Sequence, residues 1–112
     1  MKGGVITNNK NMFLTPEELA VTISALETFG EAKNADIQGY VLREELKQSL
    51  IKSSVQKLKF PSAFSYFNKQ EYTVMHMALV YILKISAFAN VDFDLTAVIS
   101  ASEKTLSLAG PS

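Results

Sequence analysis

Residues 72–90 read YTVMHMALVYILKISAFAN, and a helix built from them is apolar on nearly every side. Lys84 is the one charge in that stretch, and His76 is the one histidine of the chain. A helix without a polar face is either the buried centre of a helical domain or a membrane span. Lys84 lies in its C-terminal half, where it would cost on the order of 2.5–3.5 kcal/mol in hydrocarbon. The rest of the chain decides between the two. Three further segments each carry an apolar face, and three such faces need a centre to pack around. The expectation is an all-α, compact four-helix domain around a central apolar third helix, with helices at about 16–29, 36–58, 69–89 and 93–109.

Local chemistry sets most of these boundaries. Thr15 is followed by Pro16 and, three residues on, by Glu18, which is a capping box with proline at the first helical position. Leu19, Ile23, Leu26 and Phe29 then recur at helical spacing, and Gly30 is a stop signal. Asn68 and Glu71 make a second capping box ahead of the apolar stretch, with Phe67 and Tyr72 placed as a hydrophobic staple. Thr73, His76 and Lys84 share one side of that helix and form its only polar strip. Asp92 or Asp94 starts the last helix, Gly110-Pro111 ends it, and Leu95, Val98, Ile99, Leu106 and Ala109 share one arc with Ser102 among them. Residues 1–14 contain Gly3, Gly4, Asn8, Asn9 and Asn11 and read as a loosely packed arm, with Val5-Ile6-Thr7 suited to an edge strand. Residues 15–112 then form one helical domain.

The second segment carries two stripes. Ile37, Tyr40, Val41, Ile51, Val55 and Leu58 fall within an arc of about 100°, and Leu42, Leu46 and Leu50 form another. A helix sandwiched between two neighbours has two stripes, and so does a helix with one face in the core and one for a partner. Leu42, Leu46 and Leu50 are therefore the candidate partner face.

Composition excludes several functions. With 112 residues the chain is one domain, and 11 basic against 11 acidic residues leave no net charge. That argues against nucleic-acid binding, which depends on neutralising phosphates. The absence of cysteine removes disulfides, thiolate nucleophiles and cysteine-ligated metals. The first residues, MKGGVITNNKNMFL, have no apolar core of the kind a secretory signal needs, so a cytoplasmic setting is expected. No catalytic constellation is readable, no small-molecule substrate is identifiable, and neither an enzyme nor a bound cofactor is expected. His76 has no motif partner and is expected to be structural, donating to a carbonyl or hydroxyl.

One segment has the outline of a metal loop. Residues 34–45 resemble an EF-hand calcium loop, with Asn34, Asp36 and Gln38 at positions one, three and five, Gly39 at six and Glu45 at twelve. Only Asp36 and Glu45 bring negative charge, so affinity would be low; alternatively Asn34 or Asp36 simply caps the second helix. The alternating pattern returns as Asn90-Val91-Asp92-Phe93-Asp94, 56 residues later, while the caps Thr15 and Asn68 are 53 apart. The two offsets disagree, and the sequence does not establish a repeat. The functional expectation is a small soluble regulatory, adaptor or inhibitor-type protein that binds another protein or itself as a homodimer, with weak calcium binding at 34–45 as the alternative.

Overall fold

Both capping boxes form as the sequence requires. The Thr15 hydroxyl accepts from the Glu18 N–H at 3.2 Å, and the Asn68 side chain accepts from the Glu71 N–H at 2.8 Å. They open two of the four helices in the computed structural model, which describes residues 13–33, 42–61, 66–87 and 93–110. The helices are α1 (Pro16–Glu31), α2 (Glu44–Lys59), α3 (Lys69–Ser86) and α4 (Leu95–Ala109), and the described residues contain no strand. The expected strand at Val5-Ile6-Thr7 lies outside them. At the end of the expected arm, Leu14 is buried and Phe13 meets the rings of Phe67 and Tyr72 edge-on at 6.1 and 5.5 Å.

α3 is central, with Val74, Met75, Ala78, Leu79 and Ile82 fully enclosed, and it packs against each of the other helices. Among the described residues no helix is long and apolar enough to cross a membrane. α1 shares the centre. It too packs against all three others, through Ala25, Leu26 and Phe29, while α2 and α4 flank the pair and do not approach one another.

The largest departure from the expected boundaries is at α2, and the end of α1 differs for a related reason. α2 starts at Glu44, and Leu42 and Arg43 precede it. Residues 34–41 lie outside the described part. Arg43 caps without a side-chain hydrogen bond, and Glu44 and Glu45 in the first turn favour the positive helix end. Gly30 does not stop α1, which runs to Glu31. A Cβ at Gly30 would meet Gln48 and Ile51 at 3.6 Å, an ordinary contact, so the glycine lies against α2. The stop comes from α2: Lys47 donates to the Phe29 and Ala32 carbonyls at 3.2 and 2.9 Å, and Gln48 to the Gly30 carbonyl at 2.7 Å. Lys47 looks like a flank residue on the helical pattern, yet it is buried, because helix-end carbonyls and Glu44 at 3.2 Å neutralise it.

The buried face of α4 is also rotated from expectation. Val98 and Ala109 are buried, but Leu95, Ile99 and Leu106 are exposed. Ser102 of that arc is buried as well, and in place of Leu95, Ile99 and Leu106 the helix turns Ala97, Ala101 and Thr105 inward. Small residues let backbones approach closely, and dense packing then outweighs hydrophobicity per residue.

The repeat that the sequence left undecided is present in the packing. At an offset of 53, Leu14, Glu18, Val21, Ala25, Leu26 and Phe29 of the first half correspond to Phe67, Glu71, Val74, Ala78, Leu79 and Ile82 of the second, and every one is buried. Between α2 and α4 the offset is 47: Leu50, Ile51, Ser54 and Leu58 correspond to Ala97, Val98, Ala101 and Thr105, all buried. A single offset of 56 misses both sets because the connections within and between the halves differ in length.

Candidate functional site

Among the described residues the densest polar chemistry is a pair of buried carboxylates, one from each capping box. Glu18 Oε1 accepts the Thr15 N–H at 2.8 Å and the Lys104 ammonium at 2.6 Å, and Oε2 accepts the Ser100 hydroxyl. Glu71 repeats this atom for atom. Its Oε1 accepts the Asn68 N–H at 2.9 Å and Lys57 at 2.8 Å, and its Oε2 accepts Ser53 at 2.7 Å. Each lysine also donates to the carbonyl two residues before the cap, Lys104 to Phe13 at 3.4 Å and Lys57 to Tyr66 at 2.7 Å. Each helix start is thereby tied to a flanking helix, α1 to α4 and α3 to α2.

Burial alone pushes the Glu18 carboxyl up, but Lys104, Ser100 and the Thr15 N–H outweigh it and bring its pKa down to about 2. Glu71 is lowered against the same desolvation, by Lys57, Ser53 and the Asn68 N–H. A general base works best with a pKa near the operating pH. Carboxylates held this low, with both oxygens occupied, are poor bases. They are latches, and Ser100 and Ser53 donate into them rather than standing ready as nucleophiles. The sequence carries a faint signal for both, since Ser-x-x-x-Lys occurs at 53–57 and 100–104. It also occurs at 65–69, so the spacing alone does not single them out.

The remaining candidates are placed as follows. His76 Nδ1 lies 2.9 Å from the Ser102 carbonyl. A carbonyl can only accept, so Nδ1 carries the proton and the ring ties α3 to α4. Of the 34–45 loop, residues 34–41 lie outside the described part, while Glu45 is exposed in the first turn of α2 and Glu44 pairs with Lys33 and Lys47. Among the described residues no three of His, Asp and Glu come together as a metal site would require. Of the candidate partner face, Leu50 is buried, and Leu42 and Leu46 are partly buried against the core. Leu42 and Leu50 line a shallow groove of about 250 Å³ beside Lys69, Gln70 and Thr73 at the start of α3. A larger groove of about 460 Å³ runs along the other side of the molecule, between Phe13 and the Ser100, Lys104 and Leu108 side of α4.

The apolar surface missed by the sequence reading is on α4. Leu95, Ile99 and Leu106 are 38, 47 and 50 % exposed and lie within an arc of about 40° at 100° per residue. The corresponding residues of α2, at the offset of 47, are Gln48, Lys52 and Lys59. The inner faces of the two helices are alike in burial and their outer faces are opposite in character. Leu108 of α4, 45 % exposed, lies off that arc, and Phe60 and Tyr66, 66 and 56 % exposed, are the other large apolar residues in solvent among the described residues. Phe60 and Tyr66 are single residues, at the end of α2 and before α3, with no stripe between them. No family model, curated protein or solved structure matches this chain.

Proposed function

We propose that this is a small soluble regulatory, adaptor or inhibitor-type protein that acts by binding a protein through the outer face of α4. One observation carries the reading: Leu95, Ile99 and Leu106 stand in solvent, and where the equivalent helix is exposed it presents Lys52 and Lys59 opposite Ile99 and Leu106. A helix that only had to cover the core would do well with the α2 pattern, since its buried face already supplies that packing. Three exposed branched residues along one stripe are the usual mark of a docking helix. No reaction is assigned to the protein, and its surroundings are taken as cytoplasmic.

A photo-reactive benzophenone side chain in place of Ile99, in cells of the native host, tests this directly. The expected result is a discrete covalent adduct on irradiation, absent when the same side chain replaces Lys52. Equal labelling at the two positions, or none at either, removes α4 as the working surface.

A further inference from the structure

Both latches cross between the halves. Glu18 of the half 13–61 is held by Lys104 and Ser100 of the half 66–110, and Glu71 of the second half is held by Lys57 and Ser53 of the first. The offsets of 53 and 47 carry Glu18 onto Glu71, Ser53 onto Ser100 and Lys57 onto Lys104. Each half therefore offers the other the same carboxylate and the same serine and lysine. That reciprocity defines an isologous contact, the kind made by two copies of one subunit about a two-fold axis. Other residues tie each half within itself. Lys47 and Gln48 of α2 donate to the carbonyl end of α1, Lys59 pairs with Glu27, and His76 of α3 reaches the Ser102 carbonyl of α4.

We infer that the surface between the halves also fits a second copy of this chain, by exchange. α1 and α2 of one copy close on α3 and α4 of the other, and the two remaining halves close on each other. Each closed unit then has both latches, now made between chains. The surface involved is the core itself, since α1 and α3 are the two central helices and each packs against the flanking helix of the other half. It includes the ring contacts of Phe13 with Tyr72 and of Phe29 with Tyr81, both at 5.5 Å. No new interface is needed, and the outer face of α4 takes no part.

The link between the halves favours this route. Phe60 and Tyr66, which flank it, are 66 and 56 % exposed, and Pro61 is exposed too, so separating these ends draws no buried side chain out of the core. The six steps from Phe60 to Tyr66 span about 20 Å when extended, enough to carry the chain past a helix roughly 10–12 Å wide. A short link holds its two halves at an effective concentration on the order of millimolar. Closing within one chain and closing between two therefore compete when chains fold at that concentration.

The test unfolds the full chain in urea and refolds it over a range of protein concentrations. Light scattering after chromatography is expected to show dimer comparable to monomer after refolding at about 1 mM, and about a hundredfold less after refolding at about 10 μM. The dimer should persist on dilution, because its release requires both units to open. Isotope-labelled and unlabelled chains are then refolded together in equal amounts, and the dimer is examined by isotope-filtered nuclear Overhauser spectroscopy. Exchange predicts signals between chains for Phe13 with Tyr72 and Phe29 with Tyr81. It predicts none for Phe67 with Tyr72, whose rings lie 5.6 Å apart within one half. A monomer alone after refolding at about 1 mM overturns the inference. So does a dimer that dissociates at once on dilution, or one lacking the two signals between chains. None of these outcomes bears on the docking assignment of α4, which the photo-crosslinking experiment tests separately.

Discussion

The halves 13–61 and 66–110 hold their helices together by the same means and face solvent differently. In both, a capping-box glutamate is buried, receives a serine and a lysine four residues apart on a flanking helix, and lies about two turns ahead of an enclosed Ala-Leu pair. The outer faces part company at Lys52 and Lys59 against Ile99 and Leu106. The difference teaches which positions the fold requires. Residues whose two copies agree serve packing and latching; where the copies disagree in solvent, the fold itself is indifferent, and the choice of side chain reflects what the surface meets.

The hardest test of the agreement is to cut each latch. Glu71→Ala leaves Lys57, Ser53 and the Asn68 N–H without their acceptor, and should cost about 3–4 kcal/mol in urea unfolding. Glu18→Ala should cost somewhat less, about 2–3 kcal/mol, because Lys104 is 40 % exposed against 28 % for Lys57 and recovers more hydration. Acid provides the same cut without mutation. The Glu18 carboxyl is lowered from 4.5 to about 2 on folding, so its stabilisation is complete above about pH 4.5 and is lost as pH falls toward 2. The melting temperature should drop through that window, and less steeply in Glu18→Gln. A flat profile in the parent chain would mean that neither latch holds its carboxyl below the ordinary range.

A smaller test concerns one place where the halves differ inside. Ser54 is fully buried and its hydroxyl has no hydrogen-bond partner, while the matching residue of α4 is Ala101. Ser54→Ala removes an unsatisfied donor and should stabilise by about 1 kcal/mol; destabilisation would show that the hydroxyl is satisfied in solution. The smallest effect is expected at the outer faces. Exchanging Lys52→Ile and Ile99→Lys, measured at low protein concentration, should leave stability within about 0.5 kcal/mol. A larger loss from Ile99→Lys would mean that the stripe belongs to the core after all.

What could be read along the chain was whatever is local. Thr15 with Glu18, and Asn68 with Glu71, announce helix starts within four residues, and both appear as expected. The start of α2 was misplaced because Arg43 carries no capping side chain, and Glu44 is held by Lys33 and Lys47 from either side of the chain. Lys47 lies between the two apolar stripes of α2, and nothing in that helix reveals that the carbonyl end of α1 lies against it. The inward face of α4 was misjudged because hydropathy ranks Leu95 and Ile99 above Ala97, Ala101 and Thr105, whereas close approach favours the smaller set. The latches were invisible for a plainer reason: Glu18 and Lys104 are on different helices, as are Glu71 and Lys57.

By itself the sequence determined that the chain is helical, where α1, α3 and α4 begin, and that 72–90 had to be covered by the other helices. Those follow from backbone capping and from the cost of leaving so many apolar side chains in water. The tertiary structure alone decided that α1 shares the centre, that two carboxylates are latched in matching ways, and that α4 turns its small residues inward and its larger ones out. Each of these depends on which helix lies beside which, and contact between distant segments is set by packing and charge in three dimensions rather than by any spacing along one of them.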